Sequence, residues 1–379
     1  LPYRSARRLA WLASGCLVAA LGWALVLSAD ETFFSRPMAS RLQPPVLLLM
    51  AAGALYLVSV VLAPQTLGGR SLVVAVVLAI ALRIPMWLAP AIPAADYNRY
   101  LWDGAVTAAG VSPYRYSPRE ILEETTGEEA LERLRREGTH VLEAIEPTHA
   151  HLRTCYPPVA QGLFALAHWI SPFRPLGWRI VLLGADVLAA VTVLAMLRRT
   201  GRPLSQWAIY LWNPLLAFET YLRCHVDLAV GAAVIVLLWA LTRRKLLSAA
   251  AALVAAAGLK LYPVLLAPLL IRRAWPGRRK LLLSAGVLLG LGGVVLVLFL
   301  PALRNADSGT LAYARTWEGN AGAFRLILRA ARWVTDRGLW PAYRFESPQS
   351  LARWFVLAAL ATFGLWQGCR PPRSEPDLN

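Results

Sequence analysis

Charge is scarce in this chain, and acid is scarcer than base. Only 16% of its 379 residues are Asp, Glu, Lys or Arg, and 22 carboxylates stand against 39 basic side chains, of which three are lysines. A soluble domain is ordinarily about one-quarter charged, so this composition excludes one of this size. The four cysteines form no paired zinc motif. There is also no glycine-rich phosphate loop or strand-then-helix unit of the kind that holds a nucleotide. What fills the chain is apolar: 57% of residues are hydrophobic and the mean hydropathy is +0.49. That marks a polytopic membrane protein.

Apolar runs near or above bilayer-crossing length occur at about 9–28, 45–63, 72–90, 178–197, 205–222, 226–241, 281–300 and 350–368, with shorter or broken ones at 157–171 and 246–271. The fold class expected is therefore an all-α membrane bundle of about 10–12 spanning or re-entrant helices. One catalytic domain is expected over 1–370, followed by a polar, disordered tail over 371–379. The first run is too long for a signal peptide and lacks a small-residue cleavage site, so it is expected to stay as a helix.

The net charge of +17 does not point to nucleic acid, because the basic residues form short clusters between apolar runs: Arg4 to Arg8, Arg198 to Arg202, Arg243 to Lys245, Arg272 to Lys280 and Arg370 to Arg373. Such clusters are the signature of cytoplasmic loops. Eleven of the 22 carboxylates lie between 96 and 146, which places that segment outside. With the amino-terminal cluster inside, three crossings put 91–155 on the outer face. Residues 205–241 then form a hairpin whose turn, Glu219 to Asp227, lies on the side of Asp96. Residues 246–271 are too short for two crossings and are interrupted by Gly258 and Pro263, so a re-entrant pair of half-helices with Lys260 at its apex is expected. Parity is unresolved at 157–171: either this segment is re-entrant or the region 172–197 is broken. Residues 118–146 read as a soluble helical excursion, and 301–348 as a second outer loop with an amphipathic segment.

Polar groups at the edges of apolar segments need a reason, since a charge at the centre of a span costs roughly 2.5–3.5 kcal/mol on insertion scales. The densest group is Asp96-Tyr97-Asn98-Arg99-Tyr100-Leu101-Trp102-Asp103-Gly104. As a helix, it aligns Asp96, Arg99, Tyr100 and Asp103 on one face and Tyr97, Leu101 and Ala105 on another, and could lie along the interface with the charged face toward a cavity. His149, His151 and Arg153, then Glu219, Arg223, His225 and Asp227, and finally Lys260, Tyr262, Trp317 and Asn320 occupy other predicted outer turns.

Seven strings share an order and spacing with a known group: DYNRYLWDG (96–104), GVSPYRYSP (110–118), CYPPVAQ (155–161), WNPLLAFE (212–219), CHVDLAVG (224–231), GLKLYPVLLAPLL (258–270) and TWEGNAGAF (316–324). Together they resemble the GT-C superfamily of integral-membrane glycosyltransferases, and within it the bacterial polyprenol-phosphate-mannose-dependent mannosyltransferases of glycosyltransferase family 87. The chain departs from the pattern at Ala95, where relatives often carry a second acid, and at Cys224, where glycine is common. The resemblance implies an inverting transfer of a hexose, mannose by family likeness, from a polyprenyl-phosphate donor to a lipid or glycan acceptor at the outer face of the bacterial cytoplasmic membrane. It implies an outer-loop aspartate as general base, matched here by Asp96. Arg99, His225 and Lys260 are candidates for the departing lipid phosphate, and Tyr100, Asp103, Tyr156, Asp227, Trp317 and Asn320 for contacts to sugar or supporting positions.

Plainer readings stand beside these. Asp96 could be a helix cap, Arg99 could pair with Asp103, Lys260 could snorkel, and Tyr156 could simply precede a proline-initiated helix. His225 and Asp227 could belong to a polar loop, and Trp317 and Asn320 could anchor theirs at the headgroups. No metal or other cofactor is expected, although a divalent cation is possible, and the chain is expected to act as a monomer. A disulfide between Cys155 and Cys224 would tie two motif loops together. The rival from another class is a transporter or lipid-carrier flippase, which broken helices and a buried lysine would also suit.

Overall fold

The computed structural model describes residues 2–28, 44–91, 96–123, 126–274, 277–305, 307–316, 322–338 and 347–369. Among them the chain is helical, with one isolated β-bridge between Arg153 and Ser308. The helices are Pro2–Ser28 (α1), Pro44–Leu62 (α2), Gly69–Leu88 (α3), Asp96–Ala108 (α4), Pro118–Glu123 (α5), Glu129–Glu143 (α6), Pro158–Ile170 (α7), Pro175–Arg199 (α8), Trp207–Leu211 (α9), Pro214–Ala217 (α10), Asp227–Thr242 (α11), Leu246–Leu259 (α12), Ala267–Ala274 (α13), Arg278–Arg304 (α14), Gly309–Thr316 (α15), Gly322–Asp336 (α16) and Pro348–Cys369 (α17). Among the described residues, five stretches are long and apolar enough to cross a membrane: Ser5–Ser28, Pro45–Leu62, Gly69–Leu88, Pro175–Arg199 and Arg278–Arg304. The chain is a multi-pass membrane protein.

The chain forms two compact units: Leu1–Val111 with Gly127–Glu146 and Gln161–Trp239, and Ser112–Thr126 with Pro147–Ala160 and Ala240–Asn379. In the first, α1 packs along α2 and α3. Gly15 of α1 lies under the Trp212 ring, where a Cβ would stand 2.7 Å from a ring carbon, so α1 also comes close to the segment around Trp212. Trp11 packs on the same ring, tilted by 32° with centroids 4.5 Å apart. Packing of this kind, rather than removal of apolar surface from water, holds helices together in lipid.

Three side chains fix which ends share a side. Arg7 near the start of α1 donates to the carbonyls of Val61, Leu62 and Ala63 at the end of α2. Arg179 in the first turns of α8 donates to the carbonyls of Trp87 (2.9 Å) and Ala89 (2.8 Å) at the end of α3. Ser205 Oγ donates to the Pro64 carbonyl. The chain therefore leaves α3 and enters α8 on one face, so everything between them, α7 included, makes no net crossing. Length agrees: α7 has 13 residues, about 20 Å at 1.5 Å per residue, against a hydrocarbon core of about 30 Å. The other solution to the parity problem, a break within 172–197, is not what the chain adopts, since α8 runs unbroken for 25 residues.

The run 205–222, expected as one half of a hairpin, is a broken crossing. It starts beside Pro64 with a short 3₁₀ turn (Leu204–Gln206), continues through α9 and α10, and ends in a π-helical turn, Phe218–Leu222. Pro214 lacks an amide hydrogen, and Asn213 Oδ1 accepts from the Leu216 amide at 3.0 Å, so the helix stops and restarts there.

In the second unit, α12 ends at Lys260, whose backbone is extended (φ −146°, ψ 146°), before the 3₁₀ turn Tyr262–Leu266 and α13. This is the break expected at that lysine. α12 packs on α14, and α13 and α16 on α17. Arg153 joins three segments of the unit by ion pairs to Asp307 (2.9 Å) and Glu120 (3.4 Å). Partial burial raises the affinity of Glu120 for its proton, but the Ser117 amide and hydroxyl and Arg153 outweigh it and hold the carboxyl below its usual range.

Candidate active site

The string 96–108 forms a helix beginning at Asp96, as its pattern predicts, and the rest of the unit packs around it. Every residue from Asn98 to Val106 is buried. Gly104 explains how α4 comes so close to α7: a Cβ there would stand 2.3 Å from the Phe164 carbonyl oxygen. Tyr100 stacks on Phe164 (4.6 Å, 9°) and meets Trp178 edge-on at 5.6 Å, locking α4 to α7 and α8. Arg99 Nε bonds to Asp103 Oδ1 at 2.9 Å, and the Gln161 amide to Asp103 Oδ2 at 3.4 Å.

Tyr100 and Asp103 are 2% exposed, which suits supporting positions behind the site rather than direct contact with the sugar. Arg99 is buried, and its Nε pairs with Asp103. The four residues do share one helical face, but only Asp96, at the end of the helix, has half its side chain exposed (53%).

Beside Asp96 lies the turn that follows the π-helix. Cys224 has φ 55°, in the left-handed region, and reverses the chain between Arg223 and α11. Its carbonyl accepts from the Trp178 indole at 2.7 Å. Adjacent residues of α8 therefore hold both sides of the site: Trp178 anchors the Cys224 turn, and Arg179 holds the end of α3. His225 follows Cys224. Its Nδ1 is 2.6 Å from Glu219 Oε2, and its Nε2 is 3.9 Å from Asp96 Oδ2. Arg223 pairs with Glu219 at 3.5 Å. The result is a chain Asp96, His225, Glu219, Arg223 with alternating charge when the imidazole is protonated.

Glu219 was a member of the polar turn in the sequence but had no assigned role. The signal that marks it is structural, a carboxylate on a π-helical turn, a feature frequent at functional sites. A second polar group joins Arg83, Asp186, Tyr210 and Tyr221, and its two ionisable residues inside apolar runs are a signal in themselves. Asp227, by contrast, heads α11, where a carboxylate suits the amino-terminal end of the helix. In the second unit, the Tyr156 carbonyl accepts from Tyr114 Oη at 2.8 Å, and Lys260 is half-buried at the end of α12. Trp317 and Asn320 lie outside the described residues. Among the described residues no three His, Cys, Asp or Glu side chains gather where one metal ion could be held.

The structure holds neither Cys155 nor Cys224 in a disulfide. Cys224 is fully buried with its thiol directed at the Tyr221 carbonyl, 3.6 Å away, and burial pushes that thiol above its usual range. Its positive φ is one that glycine adopts without strain. Cys224→Gly is therefore expected to melt within a few degrees of wild type, because relief of backbone strain offsets the lost side chain. Cys224→Val, β-branched at positive φ, is expected to melt well below it. Equal melting of the two variants would refute the strain argument.

Residues 9–275 match the family model described as Alpha-(1→6)-mannopyranosyltransferase, N-terminal domain. No curated protein and no solved structure matches the chain.

Proposed function

We propose that this chain, which belongs to the alpha-(1→6)-mannopyranosyltransferase family, takes mannose from a polyprenyl-phosphate carrier and delivers it to a lipid or glycan acceptor at the outer face of the cytoplasmic membrane. Family membership makes it a membrane mannosyltransferase. The carrier, the acceptor and the side are the content of the proposal.

The observation that carries it is the half-exposed Asp96 carboxylate at the start of a rigidly buried helix, next to the His225–Glu219 pair. An acceptor hydroxyl is a weak nucleophile until its proton is removed. As the hydroxyl oxygen forms its bond to the anomeric carbon, Asp96 takes the proton. The bond from that carbon to the phosphate oxygen breaks, and the polyprenyl phosphate leaves with the electron pair. One displacement inverts the anomeric centre and needs no cofactor to balance. Glu219 accepts from His225 Nδ1 and so fixes which ring nitrogen faces Asp96. A protonated imidazole there holds positive charge beside the developing phosphate anion. His225 supplies that charge, with Arg223 paired to Glu219 beside it.

A lipid-linked donor also fits the lack of any nucleotide-binding pattern. The test is to supply the purified protein with labelled polyprenyl-phosphate mannose or labelled GDP-mannose, each with a native lipid extract as acceptor. Label is expected in a new product from the first donor and not from the second. Transfer from GDP-mannose alone would overturn the proposed donor.

A further inference from the structure

Between Leu228 and Ala306 the chain carries ten cationic side chains and not one carboxylate. Two stretches within it nearly repeat: Arg243-Arg244-Lys245-Leu246-Leu247-Ser248 and Arg278-Arg279-Lys280-Leu281-Leu282-Leu283-Ser284. The first leads into α12 and the second opens α14, and these helices pack on each other. A cavity of about 350 Å³ opens there, lined by the cations of Arg244, Lys245 and Lys280 and by the side chains of Leu246, Leu247 and Leu283. Two of the three lysines in the protein thus face one cavity.

We propose that this cavity binds the phosphate headgroup of an anionic phospholipid. Three like charges around one cavity repel one another, and none of the residues that line it is an acid, so an anion from outside the chain is favoured there. The depth is right for a headgroup, because α14 begins its membrane-crossing stretch at Arg278. The lining is right for a lipid rather than for a free ion. Leu247 and Leu283 are about half exposed and extend the cavity onto an apolar surface that acyl chains can cover. Basic pockets between helices on the cytoplasmic side are a recurrent way of holding anionic headgroups, and these loops are among those the charge pattern assigns to that side. The site is independent of the Asp96 chemistry and would bind lipid in an enzyme that had lost activity.

The test uses the full chain in a neutral detergent, titrated with phosphatidylglycerol, phosphatidylcholine or sodium phosphate. Melting temperature and lipid retained in native mass spectrometry are read together. Phosphatidylglycerol is expected to raise the melting temperature at concentrations at least ten-fold lower than phosphatidylcholine, and sodium phosphate to have no comparable effect. The double variant Lys245→Ala/Lys280→Ala, at two exposed positions, is expected to lose that preference. The control Arg198→Ala/Arg199→Ala, which removes the same charge from the exposed end of α8, is expected to keep it. A lysine variant that binds like wild type overturns the site, and so does a control that loses as much. An equal shift from sodium phosphate overturns the lipid as its occupant.

Discussion

Asp96→Asn is expected to slow mannosyl transfer by about 10²–10⁴-fold, the range typical of a lost general base, while leaving the fold intact. The two halves of this prediction rest on different observations. The chemical half rests on the amide, which keeps the shape of the carboxylate but cannot take the acceptor proton. The structural half rests on position, since the side chain is 53% exposed and is the first residue of α4, whereas the packing that holds α4 begins at Asn98. Asparagine is also as good a helix-starting residue as aspartate. Initial rates with saturating lipid-linked mannose, together with melting curves, separate the two. A variant that melts like wild type and transfers at more than a third of its rate would remove Asp96 as the base. A variant that is inactive because it is unfolded would instead show that the start of α4 depends on this carboxylate.

The second large effect is expected far from the transferred sugar. Arg83 Nε lies 2.7 Å from Asp186 Oδ2, and its other nitrogens reach Asp186 Oδ1 and the Ala79 and Leu211 carbonyls. Tyr210 and Tyr221 each donate a hydroxyl to Asp186 at 2.6 Å. Two spanning helices and the broken segment that leads to Glu219 and His225 are thus joined through one buried carboxylate. Such a network is stable because every member has partners, and it fails badly when one is removed. Asp186→Leu leaves a guanidinium and two phenols without their acceptor in a low-dielectric interior and is expected to cost roughly 3–5 kcal/mol. The double variant Arg83→Leu/Asp186→Leu removes the stranded charge and is expected to recover a large part of that loss. Equilibrium denaturation of both proteins in detergent gives the comparison. If Asp186→Leu is as stable as wild type, the network does not brace the broken segment. If the double variant is no better than the single one, the charge pairing is not the source of the cost.

Composition and charge order determined a good deal here. Apolar runs flanked by arginines fix α1, α2, α3, α8 and α14, because in lipid a long apolar segment has helix as its only way of satisfying its own backbone. The start of α4 at Asp96 and the break at Lys260 were also legible, since local residues dictate them. Tertiary structure alone decided what each polar side chain does. The same i to i+4 spacing that relates Arg99 to Asp103 would describe an exposed pair or a buried one. It is buried because Gly104 lets α4 press against Phe164, a contact 60 residues away in the chain. Likewise the pairing of Asp186 with Arg83, and of His225 with Glu219 and Asp96, depends on which helices become neighbours. Spacing along one helix reports only the face that residues share, and burial is set by what comes to lie against that face.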